Sequence, residues 1–464
     1  MTFNKQIFRE YDIRGIANVD LKPPFAKTLG LAYAKMAFNN TNKSILSIGV
    51  GQDCRLSSDS LTAELISGLR EGGMNVFFLG TCPTPLTYFS TYHLNLDGNI
   101  MITGSHNAPD YNGFKMTFNQ KSVFGEQIQT LYKIMQNDLS SSRTQGNLAE
   151  HLIVNDYIDN IVPRFKNLAP LKVVLDAGNG TASTVAPEVF SKIGAKVIPL
   201  FCELDGNFPN HHPDPTVPKN LNDLILKVKE EKADIGFAFD GDADRIGVVN
   251  ELGEIIYGDE LMVLLSRAVL KEIPNATIIS EVKSSTRLYD DISQNGGNAI
   301  MWKTGHSIIK TKMKETNAAL AGEMSGHIFF ADRYYGYDDA IYAALRVYEI
   351  VAKTKKPLSS LLSDLPKAFN TPEIRVECDD NLKFELVEKA KKVIRKDYKI
   401  NDLDGVRVEF DFGWGLIRAS NTQPALVLRF EATCEQKLLT YKSIIRKVLD
   451  LCAKEVGHEP VHFE

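Results

Sequence analysis

The sequence predicts an α/β protein of three similar domains followed by a smaller α+β domain. Three observations carry that expectation. A layout of apolar β-branched run, polar loop, amphipathic helix, small residues and second apolar run occurs three times before residue 310. Beyond residue 367 the pattern switches to alternation and then to helical periodicity. A chain of 464 residues is also long enough for about three or four domains.

The first copy of the layout is "SILSIGVGQDCRLSSDSLTAELISGLREGGMNVFFLG", the second "LKVVLDAGNGTASTVAPEVFSKIGAKVIPL" and the third "ATIISEVKSSTRLYDDISQNGGNAIMWKTGH". Each reads as strand, helix, strand, with glycine ending the helix and the second strand returning parallel to the first. Near the C-terminus, "VRVEFDFGWGLIRASNTQPALVLRFEA" alternates like antiparallel strands, and "QKLLTYKSIIRKVLDLCAKEV" has the period of a helix. Domains are therefore expected over residues 1–151, 152–254, 255–366 and 367–464.

Composition narrows the partners. The chain is 44% hydrophobic and 24% charged, as in ordinary soluble proteins. A net charge of −5 and a pI near 6.1 argue against nucleic acid or membrane as the main partner, so an anionic substrate must be held locally. The cysteines, Cys54, Cys82, Cys202, Cys378, Cys434 and Cys452, lack CxxC spacing and read as reduced thiols. The polar start "MTFNKQIFREYDIRG" and the lack of a long apolar run predict a cytoplasmic protein.

In open α/β sheets the strand C-termini face the ligand crevice, so the loops that follow strands deserve the closest reading. "TGSHNAPDYNGFK", residues 103–115, follows the apolar run "NIMI". Gly104 allows close backbone approach, and Asn107, Pro109, Asn112 and Gly113 shape a turn around Ser105. The G-x-S-x-G elbow of serine hydrolases is missing, so on its own the loop reads either as catalytic or as a capped turn.

"ADIGFAFDGDADRIGVV" is more specific. Asp240, Asp242 and Asp244 alternate, and in extended chain they would share one side. Three such charges repel unless a cation lies between them, and a hard divalent ion, Mg²⁺ first, suits an all-carboxylate set. An EF-hand is excluded because Arg245 stands where glycine is required and strands flank the loop, although Glu251 falls at the twelfth position. The competing reading is a solvated acidic turn.

Two further stretches invite other readings. "DAGNGTAS", with Gly178, Gly180 and Ser183, and Glu203 further on, nearly makes a dinucleotide fingerprint, but its last position is neither glycine nor alanine. "NHHPDP", with His211 and His212, offers two metal-ligand types without a third and reads as a structural loop.

Together, "TGSHNAPDYNGFK" and "FDGDADR" resemble the α-D-phosphohexomutase superfamily. "GEMSGH", residues 322–327, is similar to its sugar-recognition loop, and "RASNTQP", residues 418–424, to its phosphate-binding loop. The likeness runs from "FREYDIRG" to the last domain, with one signature loop per domain in family order. Met324 narrows it to the phosphomannomutase/phosphoglucomutase group, since phosphoglucosamine mutases usually carry glutamine there. Gln52, Cys54 and Gln423 depart from common family residues.

The resemblance implies four domains with mixed sheets around a central cleft. It also implies an isomerase moving phosphate between C6 and C1 of mannose or glucose, with hexose 1,6-bisphosphate as intermediate and activator. Ser105 would then be a phosphoserine and, with Asp240, Asp242 and Asp244, would hold Mg²⁺. Arg14, Lys115 and Arg245 would supply positive charge, His327 would be the general acid or base, and His106 would orient the loop. Tyr11, Lys283, His306, Glu323 and Ser325 would meet the sugar, and Arg418, Ser420, Asn421 and Thr422 the distant phosphate. Phosphosugars are the expected partners of a monomer or weak dimer. Competing readings are a phosphoglucosamine mutase, a silent phosphosugar-binding protein, and an aspartyl phosphatase of the haloacid dehalogenase type with Asp240 as nucleophile. Asp244, where threonine or valine is expected, counts against the last.

Overall fold

In the computed structural model, which describes residues 3–137, 139–421, 423–457, 459–461 and 463, four sheets follow one another along the chain. The first places Ser47–Gln52 between Gly98–Ile102 and Asn75–Thr81, all parallel, with Leu148–Glu150 continuing the parallel side. Tyr111–Phe118 then pairs antiparallel with Gly98–Ile102, and Ile13–Ile16 antiparallel with Tyr111–Phe118. The second sheet has parallel Lys196–Leu200, Lys172–Asp176 and Ile235–Phe239, then antiparallel Ile246–Asn250 and Ile255–Ile256. The third aligns Asn298–Trp302, Thr277–Glu281 and Leu320–Gly322 in parallel and ends on antiparallel Ile328–Phe330. All three are mixed, as expected.

The repeated layout is present in each. Helices Ser58–Glu71, Ala186–Lys192 and Thr286–Gln294 connect the paired parallel strands. Behind each helix a glycine takes a left-handed conformation, Gly73 at φ 92°, Gly194 at 93° and Gly296 at 79°, where a Cβ would be penalised. The second copy differs in one respect: a 3₁₀ turn over Thr181–Thr184 precedes a short α-helix that carries a proline in its first turn.

The fourth sheet is antiparallel throughout, with Val406–Phe410, Gly413–Ala419 and Ala425–Ala432 as its central strands. Helices Lys383–Ile394 and Glu435–Val456 cover one face. Their core, including Leu386, Val406, Leu428 and Ile445, is separate from the rest. A larger apolar core runs from Leu79 and Phe89 at the edge of the first unit through Val173 and Phe237 to Ile278, Leu320 and Tyr342, while the rest of the first unit has a core of its own, including Phe25, Leu65 and Phe114. The helix Ala340–Thr354 is buried almost all round and packs against strands of both the second and third sheets. Asp339 caps it by accepting from the Tyr342 N–H at 2.8 Å. No described helix is long and apolar enough to cross a membrane.

Candidate active site

Each of the four signature loops leaves the C-terminal end of a strand, and three of them meet directly. Ser105 follows Gly98–Ile102 and is 1% exposed. Its φ of 49° is left-handed, unusual for serine, and is held by neighbours rather than by its own preference. The Ser105 hydroxyl donates to Asp240 Oδ2 at 2.8 Å and lies 3.1 Å from His106 Nδ1.

The carboxylates of Asp240, Asp242 and Asp244 are fully buried, and oxygens of all three lie within 4.8 Å of one another. Extended alternation is not what gathers them. The loop is a tight turn with Ala243 at φ 58°, and Asp240 Oδ1 accepts the backbone N–H groups of Asp244 and Arg245, both at 3.1 Å. Lys115 Nζ bridges Asp242 at 2.7 Å and Asp244 at 2.5 Å, and the Thr84 hydroxyl donates to Asp242 Oδ2. Asp242 Oδ1 remains a buried acceptor with no hydrogen-bond donor, and Asp244 Oδ1 faces only the His327 imidazole, at 3.2 Å. Three buried carboxylates, one with an orphaned oxygen, beside a serine hydroxyl suit an oxygen-loving divalent cation.

Charge in this cluster is strongly coupled. Burial, then Asp242 and Asp244, pushes the Asp240 carboxyl well above its usual range. Burial would raise Asp244 too, but Lys115 and His327 overcome it and hold that carboxyl well below. Burial works against charge on Lys115, and the surrounding aspartates outweigh it and keep the ammonium protonated. His106 is pushed well down by burial, then by Arg245 and Arg14, so its ring is neutral beside Ser105.

The third unit closes the cluster with "GEMSGH". His327 Nε2 lies 3.2 Å from Asp244 Oδ1, and its Nδ1 lies 3.0 Å from Glu323 Oε2 and 2.9 Å from the Ser325 hydroxyl. Burial disfavours the imidazolium, but Asp244 and Glu323 outweigh it against the opposing Arg245 and raise the pKa to about 9. Glu323 is more committed than its expected sugar-binding role suggests, since Oε1 also accepts the Gly305 N–H at 2.7 Å. His306 stacks on His327 with ring centroids 5.5 Å apart, and its Nδ1 is 3.5 Å from Asp338.

The remaining expected residues form the rim. Arg14 reaches Asn107 and Asp12, and Arg245 Nη1 lies 3.4 Å from His106 Nε2. Tyr11 donates to the Thr304 carbonyl at 2.9 Å and accepts from Asn421 at 3.1 Å, which links the first, third and fourth units. Lys283 pairs with Glu373 at 2.9 Å and with Glu281 at 3.4 Å. Arg418 Nε donates to Asp404 at 2.8 Å, and the Ser420 hydroxyl accepts the Gln423 N–H at 3.1 Å. Thr422 lies outside the described residues.

Several partners escaped the sequence reading. Arg55 is the main one: buried, it contacts the Ser105 loop along its whole length. Its only signal was its place in "VGQDCRLSS", directly after a strand. Thr84, Glu281, Glu373, Asp338 and Asp404 gave none, because packing and not spacing chooses their partners, such as Asp242 for Thr84 and Lys283 for Glu373. The misleading stretches resolve into structure. Gly180 and Thr181 pack on the backbone of Gly241 in the aspartate loop, and His211 pairs with Asp176 at 2.9 Å. Gln52 bonds to Asp59, and Gln423 accepts from Arg375.

A four-unit α/β fold that brings a buried serine against a carboxylate cluster, with basic and imidazole groups around it, defines a phosphohexomutase, an enzyme of the isomerase class. The chain belongs to the phosphoglucomutase/phosphomannomutase family: its alpha/beta/alpha domains I, II and III match residues 5–141, 155–253 and 257–369, and its C-terminal domain matches 373–448. A phosphomannomutase/phosphoglucomutase of Pseudomonas putida is 46% identical over 96% of this chain and 95% of its own. A phosphoglucomutase of Neisseria gonorrhoeae is 43% identical over 97% and 98%. The crystal structure of a phosphoglucomutase/phosphomannomutase family protein from Burkholderia thailandensis superposes with a TM-score of 0.92, at 40% identity and full coverage of both chains.

Proposed function

We propose that this chain interconverts hexose 6-phosphate and hexose 1-phosphate, of mannose and of glucose, with Ser105 as phosphoryl carrier and hexose 1,6-bisphosphate as intermediate. The observation that carries the reading is the Ser105 hydroxyl 2.8 Å from Asp240 at the edge of a three-aspartate cluster. Each unit, taken as residues 1–151, 152–254, 255–366 and 367–464, contributes one loop. The composition supports a cytoplasmic location.

Asp240, Asp242, Asp244 and Ser105 would hold Mg²⁺, which supplies positive charge to the transferring phosphoryl group. Lys115 adds an ammonium beside the same carboxylates, and Arg14 and Arg245 flank the serine loop through Asn107 and His106. Phosphoryl transfer asks mainly for positioning and charge stabilisation, which such a set provides. Protonated His327 donates to the sugar oxygen as the phosphoryl group leaves it, and in the opposite direction the neutral ring accepts that proton. Glu323 and Ser325 hold the ring by Nδ1 and keep capacity for sugar hydroxyls. Arg418, anchored through Nε, would turn its remaining fork to the distant phosphate beside Ser420 and Asn421.

A phosphatase using Asp240 as nucleophile fits less well, since one carboxylate oxygen accepts two backbone N–H groups and the other the serine. Phosphorus NMR of the protein with mannose 1-phosphate or glucose 1-phosphate, Mg²⁺ and a trace of hexose 1,6-bisphosphate separates the readings. Conversion to 6-phosphates is expected; inorganic phosphate as the product, or no change, would reject the mutase.

A further inference from the structure

We infer that Arg55 is a positioning residue for phosphoryl transfer, a clamp that holds the loop around Ser105 in its left-handed conformation with the hydroxyl facing Asp240. The inference rests on Ser105 as phosphoryl carrier and assigns a function to a residue that touches neither sugar nor metal cluster.

Arg55 uses every donor it has. Nε donates to Asp53 Oδ2 at 3.1 Å, Nη1 to the carbonyls of Ala108 and Tyr111, and Nη2 to the carbonyls of Ser105 at 2.8 Å and Asn107 at 2.6 Å. Five N–H groups in a planar fork thus meet one carboxylate and four backbone carbonyls of a single loop. Asp53 completes the clasp: Oδ2 also accepts the Gly104 N–H at 3.1 Å, while Oδ1 accepts the Arg55 N–H and the Ser58 hydroxyl. The side chain is 0% exposed, so no water can replace a lost partner without rearrangement.

Space is shaped to the same end. A Cβ on Gly104 would lie 2.5 Å from Arg55 Nε, so only glycine lets the guanidinium lie against the loop. From the other side, a Cβ on Gly241 would come within 2.5 Å of the Ser105 carbonyl oxygen, the atom that Arg55 Nη2 holds. Phe208 of the second unit lies 5.0 Å beneath the guanidinium. The Ser105 carbonyl is therefore confined between Arg55 and the aspartate loop, in a residue whose φ is 49° and whose N–H donates to the Thr103 hydroxyl oxygen at 2.8 Å. A loop with four inward carbonyls and no such donor would relax, carrying Oγ away from Asp240.

Lysine retains the charge but offers one nitrogen with three donors. Arg55→Lys is expected to lower kcat roughly 30- to 100-fold, the scale of a displacement near 1 Å at a reacting atom. KM for glucose 1-phosphate should stay within about threefold, since the sugar and distant phosphate are gripped by other loops. Amide exchange at residues 104–111 should quicken more than about tenfold while the strand Gly98–Ile102 stays protected. Added methylguanidinium should restore part of kcat in Arg55→Ala. Wild-type kcat in Arg55→Lys, or a kcat loss matched by the unfolded fraction with no selective loop exchange, would overturn the inference. Should the Arg55 variants not fold, Gly241→Ala leaves Arg55 in place and should show the same loop exchange and kcat loss; unaltered exchange there overturns it equally. Mass spectrometry of the wild type keeps the two readings apart, because a phosphate adduct absent from Ser105 defeats the carrier assignment and leaves loop exchange to judge the clamp.

Discussion

The hydroxyl of Ser105 and the carboxylate of Asp240, 135 positions apart in sequence, meet at 2.8 Å across the seam between the first and second sheets. If that contact marks the carrier, exposure to hexose 1,6-bisphosphate should leave one phosphate on the protein. Intact-mass measurement is expected to show the adduct in wild type and none in Ser105→Ala; an adduct that survives and maps to Asp240 would restore the phosphatase reading.

Metal dependence follows from the gathered carboxylates of Asp240, Asp242 and Asp244 and the orphaned oxygen of Asp242. Excess chelator should abolish turnover, and Mg²⁺ should restore it. The circular dichroism spectrum should stay the same throughout, because the shared apolar core does not rest on the cluster. Full activity in chelator would remove the metal from the scheme.

The pH response of the metal-free protein has a defined sign. His327 is held at about 9 by Asp244 and Glu323 against burial, compared with 6.5 when unperturbed. A raised histidine pKa stabilises the folded state fully below pH 6.5, and that contribution is lost as pH climbs to 9. The size is about 3 kcal/mol, and His327→Gln should flatten this part of the profile in urea titrations. A wild-type profile already flat between those values would show that the imidazolium is not so held.

Arg418 tests the grip on the far phosphate. Its removal should cost about 1.5–3 kcal/mol of charge-assisted binding, or roughly 10- to 150-fold in affinity. If one serine serves both ends of the sugar, as proposed, the bisphosphate must turn between transfers. The fourth unit, with its own core and its Asn421–Tyr11 contact across the mouth, is expected to open and close around it. Arg418→Ala should therefore raise KM and leak free bisphosphate. Unchanged KM without leakage would assign the grip elsewhere.

Both epimers should be turned over at rates within about two orders of magnitude, since Glu323 and Ser325 are expected on the O3 and O4 side, where mannose and glucose agree. Parallel kcat/KM measurements decide this. A larger gap would require a buried polar group aimed at the C2 hydroxyl.

Much of this was legible along the chain because it is local. The three strand–helix–strand copies rest on periodicity and on a glycine behind each helix, and the sequence marked Ser105 and the three aspartates by their place after apolar strands, while "GEMSGH" and "RASNTQP" were marked by their likeness to family loops. Those properties depend on neighbours a few residues away, which is the range over which backbone preference and hydrophobic period act. Tertiary structure alone decided which loops meet. It turned the aspartates inward through Ala243 rather than along an extended strand, bound Glu323 to Gly305 and His327, and wrapped Arg55 around the serine loop. No spacing encodes these contacts. A buried donor or carboxylate is satisfied by whichever group packing brings into hydrogen-bond range, whether four residues away as for Glu323 and His327 or on another sheet as for Ser105 and Asp240.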